Sequence, residues 1–213
     1  MRDEDQPQGD SEGSGPAPWG EADWAAYLRR QDLEVARFLS HYNEVKAMPD
    51  RLDLCARRMG WEPGEWSPPP EAGEAEPETE SPADLPYCIH QHPVFVAARG
   101  LGIQASTSFR TLLRDSAKAA PPLLAAEVML ALWDAQHNTV MAVNATDTGD
   151  PALAVVHLKR GLAGINTAIG LLQEIPAEAR LGSHAAFEET QSALFDLRDV
   201  CLRLIGECRW GEG

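Results

Sequence analysis

From Tyr87 to Gly213 the chain is divided by proline into long segments whose apolar residues recur at spacings of three, four and seven. The divisions fall at His92-Pro93, Pro121-Pro122, Asp150-Pro151 and Ile175-Pro176. Proline suits the first turn of a helix and disfavours helix in the residue before it, so each pair opens a helix or closes one. The first segment runs to about Lys118, with Val94, Ala98, Leu101, Ala105, Ser108, Phe109 and Leu112 on one side. Gly100 and Gly102 lie inside it and mark a close approach, a kink or a later start. The second runs from Pro121 to about Thr146, and its first half, LLAAEVMLALW, is apolar nearly all round, which predicts deep packing. Gly149 ends it and Asp150 caps the third, whose stripe is Leu158, Leu162, Ile165, Ile169 and Leu172. After a joint at AEARLG, Ser183 is placed to cap the fourth, which reaches about Cys208. No alternating Val/Ile/Thr run lies between hairpin turns, so no strand is expected. Four helices of this length with short joints predict an all-α fold, an antiparallel up-down four-helix bundle over residues 87–213.

Three further regions precede the bundle. Residues 1–18 are acidic, rich in Gly and Pro and almost free of apolar groups, the composition of a disordered tail. Residues 19–61 read as a helical arm. One helix from about Glu21 to Ala47 has a stripe through Trp24, Leu28, Val35, Phe38, Leu39, Tyr42 and Val45. A shorter one, Arg51 to Met59, is capped by Asp50 and stopped by Gly60. Residues 62–86 are a Pro/Glu-rich linker, with Trp61 and Trp66 at its start as anchors onto a neighbouring surface. The arm is too amphipathic to stand alone in water, so it is expected to dock on the bundle, on a second copy or on another protein.

The formal charge of −15 is concentrated at the front: residues 1–84 hold 20 acids and 8 bases, residues 85–213 hold 13 and 10. Such a balance opposes nucleic-acid binding, which needs Lys and Arg to displace counterions, and opposes anionic membrane surfaces. No run reaches the roughly 18 apolar residues of a membrane span, and MRDEDQPQGDSEGSG lacks the apolar core of a secretory signal. Cys55, Cys88, Cys201 and Cys208 form no CxxC pair. Cys201 and Cys208 are about 10 Å apart along one helix, beyond disulfide reach. Reduced thiols and a cytoplasmic protein are the expectation.

Local chemistry is sparse. His157-Leu-Lys-Arg160-Gly161 resembles the motif of histidine phosphotransfer domains, which are also four-helix bundles. There an exposed His is followed at +3 by Lys and at +4 by Gly, which leaves room for a partner's phosphoaspartate. Arg160 and Gly161 hold those places, but Lys159 stands where the family has an apolar residue. The competing reading is a flank of small residues, Ala154, Gly161, Gly164 and Ala168, that lets another helix come close. For metals, Asp134-x-x-His137 with Glu127 two turns earlier, and His184 with Glu188 at i, i+4, are the candidate ligands. The first and third segments supply no inward carboxylate, so neither set is complete. His90 and His92 read as loop or capping residues. There is no G-x-S-x-G, no phosphate loop and no cysteine flanked by groups that would lower its pKa.

These features point to a non-enzymatic scaffold or protein-interaction module, with a protein partner or self-association through the arm and no cofactor. Phosphotransfer through His157 is the alternative, and a metal-binding bundle the second alternative.

Overall fold

The computed structural model describes residues 19–61, 88–115 and 121–210; the acidic tail, the Pro/Glu-rich linker and Trp66 lie outside the described residues. Among these residues the protein is all-helical, with no strand. Seven α-helices follow in order: α1 (Glu21–Val45), α2 (Arg51–Met59), α3 (Pro93–Asp115), α4 (Pro122–Asp147), α5 (Pro151–Gln173), α6 (Ala177–Gly182) and α7 (His184–Trp210). A 3-10 turn, Ile89–Gln91, leads into α3.

The punctuation works locally as its chemistry dictates. Pro93, Pro122 and Pro151 each stand at the first helical position. Asp150 accepts a hydrogen bond from the Leu153 amide at 2.9 Å. Gly60, at φ +81°, ends α2, and the Trp61 amide reaches back to the Ala56 carbonyl. Two expected caps are not made. The side chain of Asp50 caps nothing, and the Ser183 hydroxyl turns to Asp115 instead of its own helix.

The four long helices α3, α4, α5 and α7 pack α3 on α4, α4 on α5, α5 on α7 and α7 on α3. Leu101, Phe109, Leu112, Leu158, Ile165, Leu172, Leu194 and Leu197 fill the space between them without solvent contact. The α4–α5 contact is the most extensive, and glycine is the reason. A Cβ on Gly164 would lie 3.0 Å from the Ala135 nitrogen, and one on Gly161 would lie 3.3 Å from Thr139 Oγ1. Residues 157, 161 and 164 of α5 therefore meet 138, 135–139 and 131–135 of α4, an antiparallel register.

The arm packs on the same core. Helix α1 lies on α3, and α2 folds back on α1. Gly100 of α3 is the notch that admits α1, since a Cβ there would come within 2.5 Å of the Phe38 ring. Gly102 does the same toward α4, where a Cβ would meet Gln136. The buried seam of α1 is Tyr27, Gln31, Val35, Phe38, Tyr42 and Val45. The expected stripe is right from Val35 onward and displaced before it, because Trp24 and Leu28 are exposed. The buried Gln31 carries no apolar signal, and that hid the true line. Polar contacts tie the arm to α7: Tyr42 and Arg51 both bond Asp196, Lys46 pairs with Glu189, and Asp53 pairs with Arg203.

Helix α4 departs from expectation. Its apolar first half is not buried all round: Leu123, Leu130 and Trp133 are exposed, Leu130 by 64% and Trp133 by 60%.

Candidate functional site

The His157 motif sits on the α4–α5 seam. Asn138 of α4 donates its amide to the Asp134 carbonyl at 3.0 Å and carboxylate at 3.1 Å, which leaves its Oδ1 to accept from Nδ1 of the half-buried His157 at 3.2 Å. Lys159 and Arg160 are exposed. Gly161 is buried, and the space beside it is filled by Thr139 and Ala135. In the phosphotransfer motif that glycine opens room for a partner protein; here it opens room for α4.

The metal candidates are dispersed. Asp134 and His157 are linked only through Asn138. His137 is exposed and stacks on Trp133 with ring centroids 5.1 Å apart. Glu127 and Asp134 border a groove on the outer side of α4 and α5. His184 and Glu188 form a separate pair, 4.0 Å apart and exposed, at the start of α7. Among the described residues no three of His, Cys, Asp and Glu converge.

The two histidines before α3 have different work. His92 is buried, its Nδ1 accepts the Val94 amide at 3.1 Å as a cap for α3, and burial pushes its pKa down to about 4. His90 lies 3.1 Å from Cys88 Sγ and sets its ring edge-on to Tyr27 and Phe95; burial lowers its pKa also. The Cys88–His90 contact escaped the sequence reading, because the two residues touch through the turn that links them. Burial pushes two other thiols up, Cys55 to about 12 and Cys201 to about 11.

Two concave features stand out. The first is a cleft of about 390 Å³ where α1, the 3-10 turn, α3 and α4 meet, with Gln31, Asp32, His90, Phe95, Arg99, Trp133, Gln136 and His137 on its walls. Gln31 is only 7% exposed, and its Oε1 has no hydrogen-bond partner; nor has Nε2 of Gln136. A buried polar atom left unpaired costs about 1–3 kcal/mol, so two on one cleft is an unusual concentration. Gln31, Asp32, Arg99 and Gln136 were not singled out in the sequence. The only signal was Gln31 standing in the heptad line Tyr27, Gln31, Val35, Phe38.

The second is a shallower groove of about 520 Å³ on the outer face of α4 and α5, lined by Glu127, Leu130, Ala131, Trp133, Asp134, Ala163, Gly164, Thr167 and Leu171. Leu153 and Val156 are exposed on α5 alongside it. No protein family, curated protein sequence or solved structure matches this chain. None of the described helices is long and apolar enough to cross a membrane.

Proposed function

We propose that the protein is a non-enzymatic helical scaffold that pairs with a second copy of itself through the outer face of α4 and α5. The observation that carries this reading is the exposure of Leu123, Leu130, Trp133, Leu153 and Val156 on two adjacent helices. A helix apolar on all sides is normally buried on all sides, and large exposed apolar patches mark interaction surfaces. Charge favours a like partner. Glu127 and Asp134 lie on the α4 side, Lys159 and Arg160 on the α5 side. A two-fold axis through the groove brings the acidic side of one copy toward the basic side of the other, the self-complementarity that an isologous dimer needs.

The arm is the less favoured surface for self-association, since its seam is spent on α3 and α7. An up-down order of α3, α4, α5 and α7 is supported by their short joints and by the antiparallel α4–α5 register. A cytoplasmic location is supported by the reduced, buried Cys55 and Cys201. Phosphotransfer has less support, because α4 occupies the space beside Gly161, and a metal site has less because its candidate ligands stand apart.

Light scattering on the full chain over a range of concentrations tests the proposal. The expected result is a concentration-dependent dimer that Leu130→Glu converts to a monomer with an unchanged melting temperature. A wild-type chain that stays monomeric at its highest soluble concentration overturns it.

A further inference from the structure

We infer that the cleft between α1, α3 and α4 binds a small zwitterion, an ammonium and a carboxylate on an apolar body, which is the chemistry of a free hydrophobic α-amino acid. This site adjoins the copy-to-copy face at Trp133, which borders both, but does not rest on that reading.

The polar groups of the cleft divide by wall. On the α1 wall are two acceptors, the Asp32 carboxylate and the unpartnered Oε1 of Gln31. On the α3 and α4 wall are the Arg99 guanidinium, the His137 imidazole and Gln136, whose buried Nε2 is unpartnered. Among the described residues no ion pair involves Asp32 or Arg99, so the two charges face one cleft without neutralising each other. A lone anion would satisfy Arg99 and be repelled by Asp32; a lone cation would meet the reverse. A ligand carrying both charges satisfies both walls. Between the walls Val35, Phe95, Trp133 and Val140 offer apolar surface to the body of the ligand. The volume of about 390 Å³ lies at the small end of the range for ligand pockets. The glycine at position 102 belongs to the same construction, since its missing side chain leaves the Gln136 amide its place.

The experiment is a titration of the full chain by heteronuclear NMR. The probes are L-leucine and L-phenylalanine, with N-acetyl-L-leucine (no ammonium) and L-leucinamide (no carboxylate) as blocked counterparts. The expected result is a saturable shift of the Gln31 and Gln136 side-chain amide signals with the free amino acids and none with the blocked ones. Arg99→Ala and Asp32→Ala, both at exposed positions, are each expected to weaken binding about tenfold or more at an unchanged melting temperature. Gln31→Met is expected to abolish binding while the chain melts at the same or a higher temperature, which separates loss of the site from loss of the fold. No saturable shift with either amino acid at millimolar concentration overturns the inference. So does equal binding of the blocked compounds, which would show an amide-directed pocket rather than a charge-directed one.

Discussion

Tyr42 donates its hydroxyl proton to Asp196 across 154 residues of sequence, and the same carboxylate takes both the Nε and an Nη of Arg51. Three elements, α1, α2 and α7, are joined at one buried acid. Burial and the neighbouring carboxylate hold the Tyr42 hydroxyl protonated far above the usual phenol range. Asp196→Ala leaves a phenol and a guanidinium without their acceptor and is expected to destabilise the fold by about 3 kcal/mol. Tyr42→Phe, which removes one hydrogen bond, is expected to cost about 1 kcal/mol. Urea unfolding checks both: the midpoint moves down with the slope unchanged. A shift under about 0.5 kcal/mol for Asp196→Ala, the range of ordinary surface changes, would mean that the junction contributes nothing to stability.

His92 makes stability depend on acid. Its folded pKa of about 4 lies below the roughly 6.5 of an unfolded imidazole. Between those values the unfolded chain takes up a proton that the folded chain refuses. This contribution is therefore complete above about pH 6.5, declines as the pH falls and levels off below about pH 4, a loss on the order of 3 kcal/mol. Asn at position 92 retains the cap on the Val94 amide without titrating. Denaturation midpoints of wild type and His92→Asn between pH 7 and pH 4 should diverge, with the variant holding its stability; parallel curves refute the assignment.

Two glycines of α5 should respond in opposite directions. At Gly164 a Cβ meets Ala135 backbone at 3.0 Å, whereas at Gly170 nothing lies within 4 Å. Gly164→Ala forces α4 and α5 apart and is expected to cost about 1–3 kcal/mol. Gly170→Ala is expected to add up to about 1 kcal/mol through helix propensity. Thermal melts of the two variants decide it, and equal shifts of the same sign would contradict the seam.

The thiols should react in order of access. Cys88 is half-buried beside His90, while Cys55, Cys201 and Cys208 are buried. Brief alkylation of the native chain with iodoacetamide, followed by mass spectrometry, should label Cys88 first, and Cys55 and Cys201 only on unfolding. Labelling of Cys201 at the rate of Cys88 would place it elsewhere than in the core.

The elements of this fold were legible because proline and glycine act locally. Pro93, Pro122 and Pro151 open their helices, and Gly60 and Gly149 close theirs with φ of +81° and +77°. The stripes of α3 and α5 were legible too, since each buries a regular line of apolar residues. What escaped is what has no period. Gln31 and Asp196 are polar residues in buried places, and the partners of Asp196 lie on other helices. The outer face of α4 was misread for a related reason: Leu130 and Trp133 have the side chains of core residues, and only the arrangement of neighbours shows that nothing covers them. The cleft combines residues from α1, α3 and α4, so no single stretch of sequence announces it.

The link from Tyr42 to Asp196, with its companion from Asp53 to Arg203, has a consequence for biosynthesis. A ribosome adds about 5–20 residues per second, so some 150 residues separate the emergence of the arm from that of its anchor on α7 by about 8–30 s. During that interval Tyr42, Arg51 and Asp53 have no partner on α7. The nascent arm thus waits for α7, the helix that closes over it.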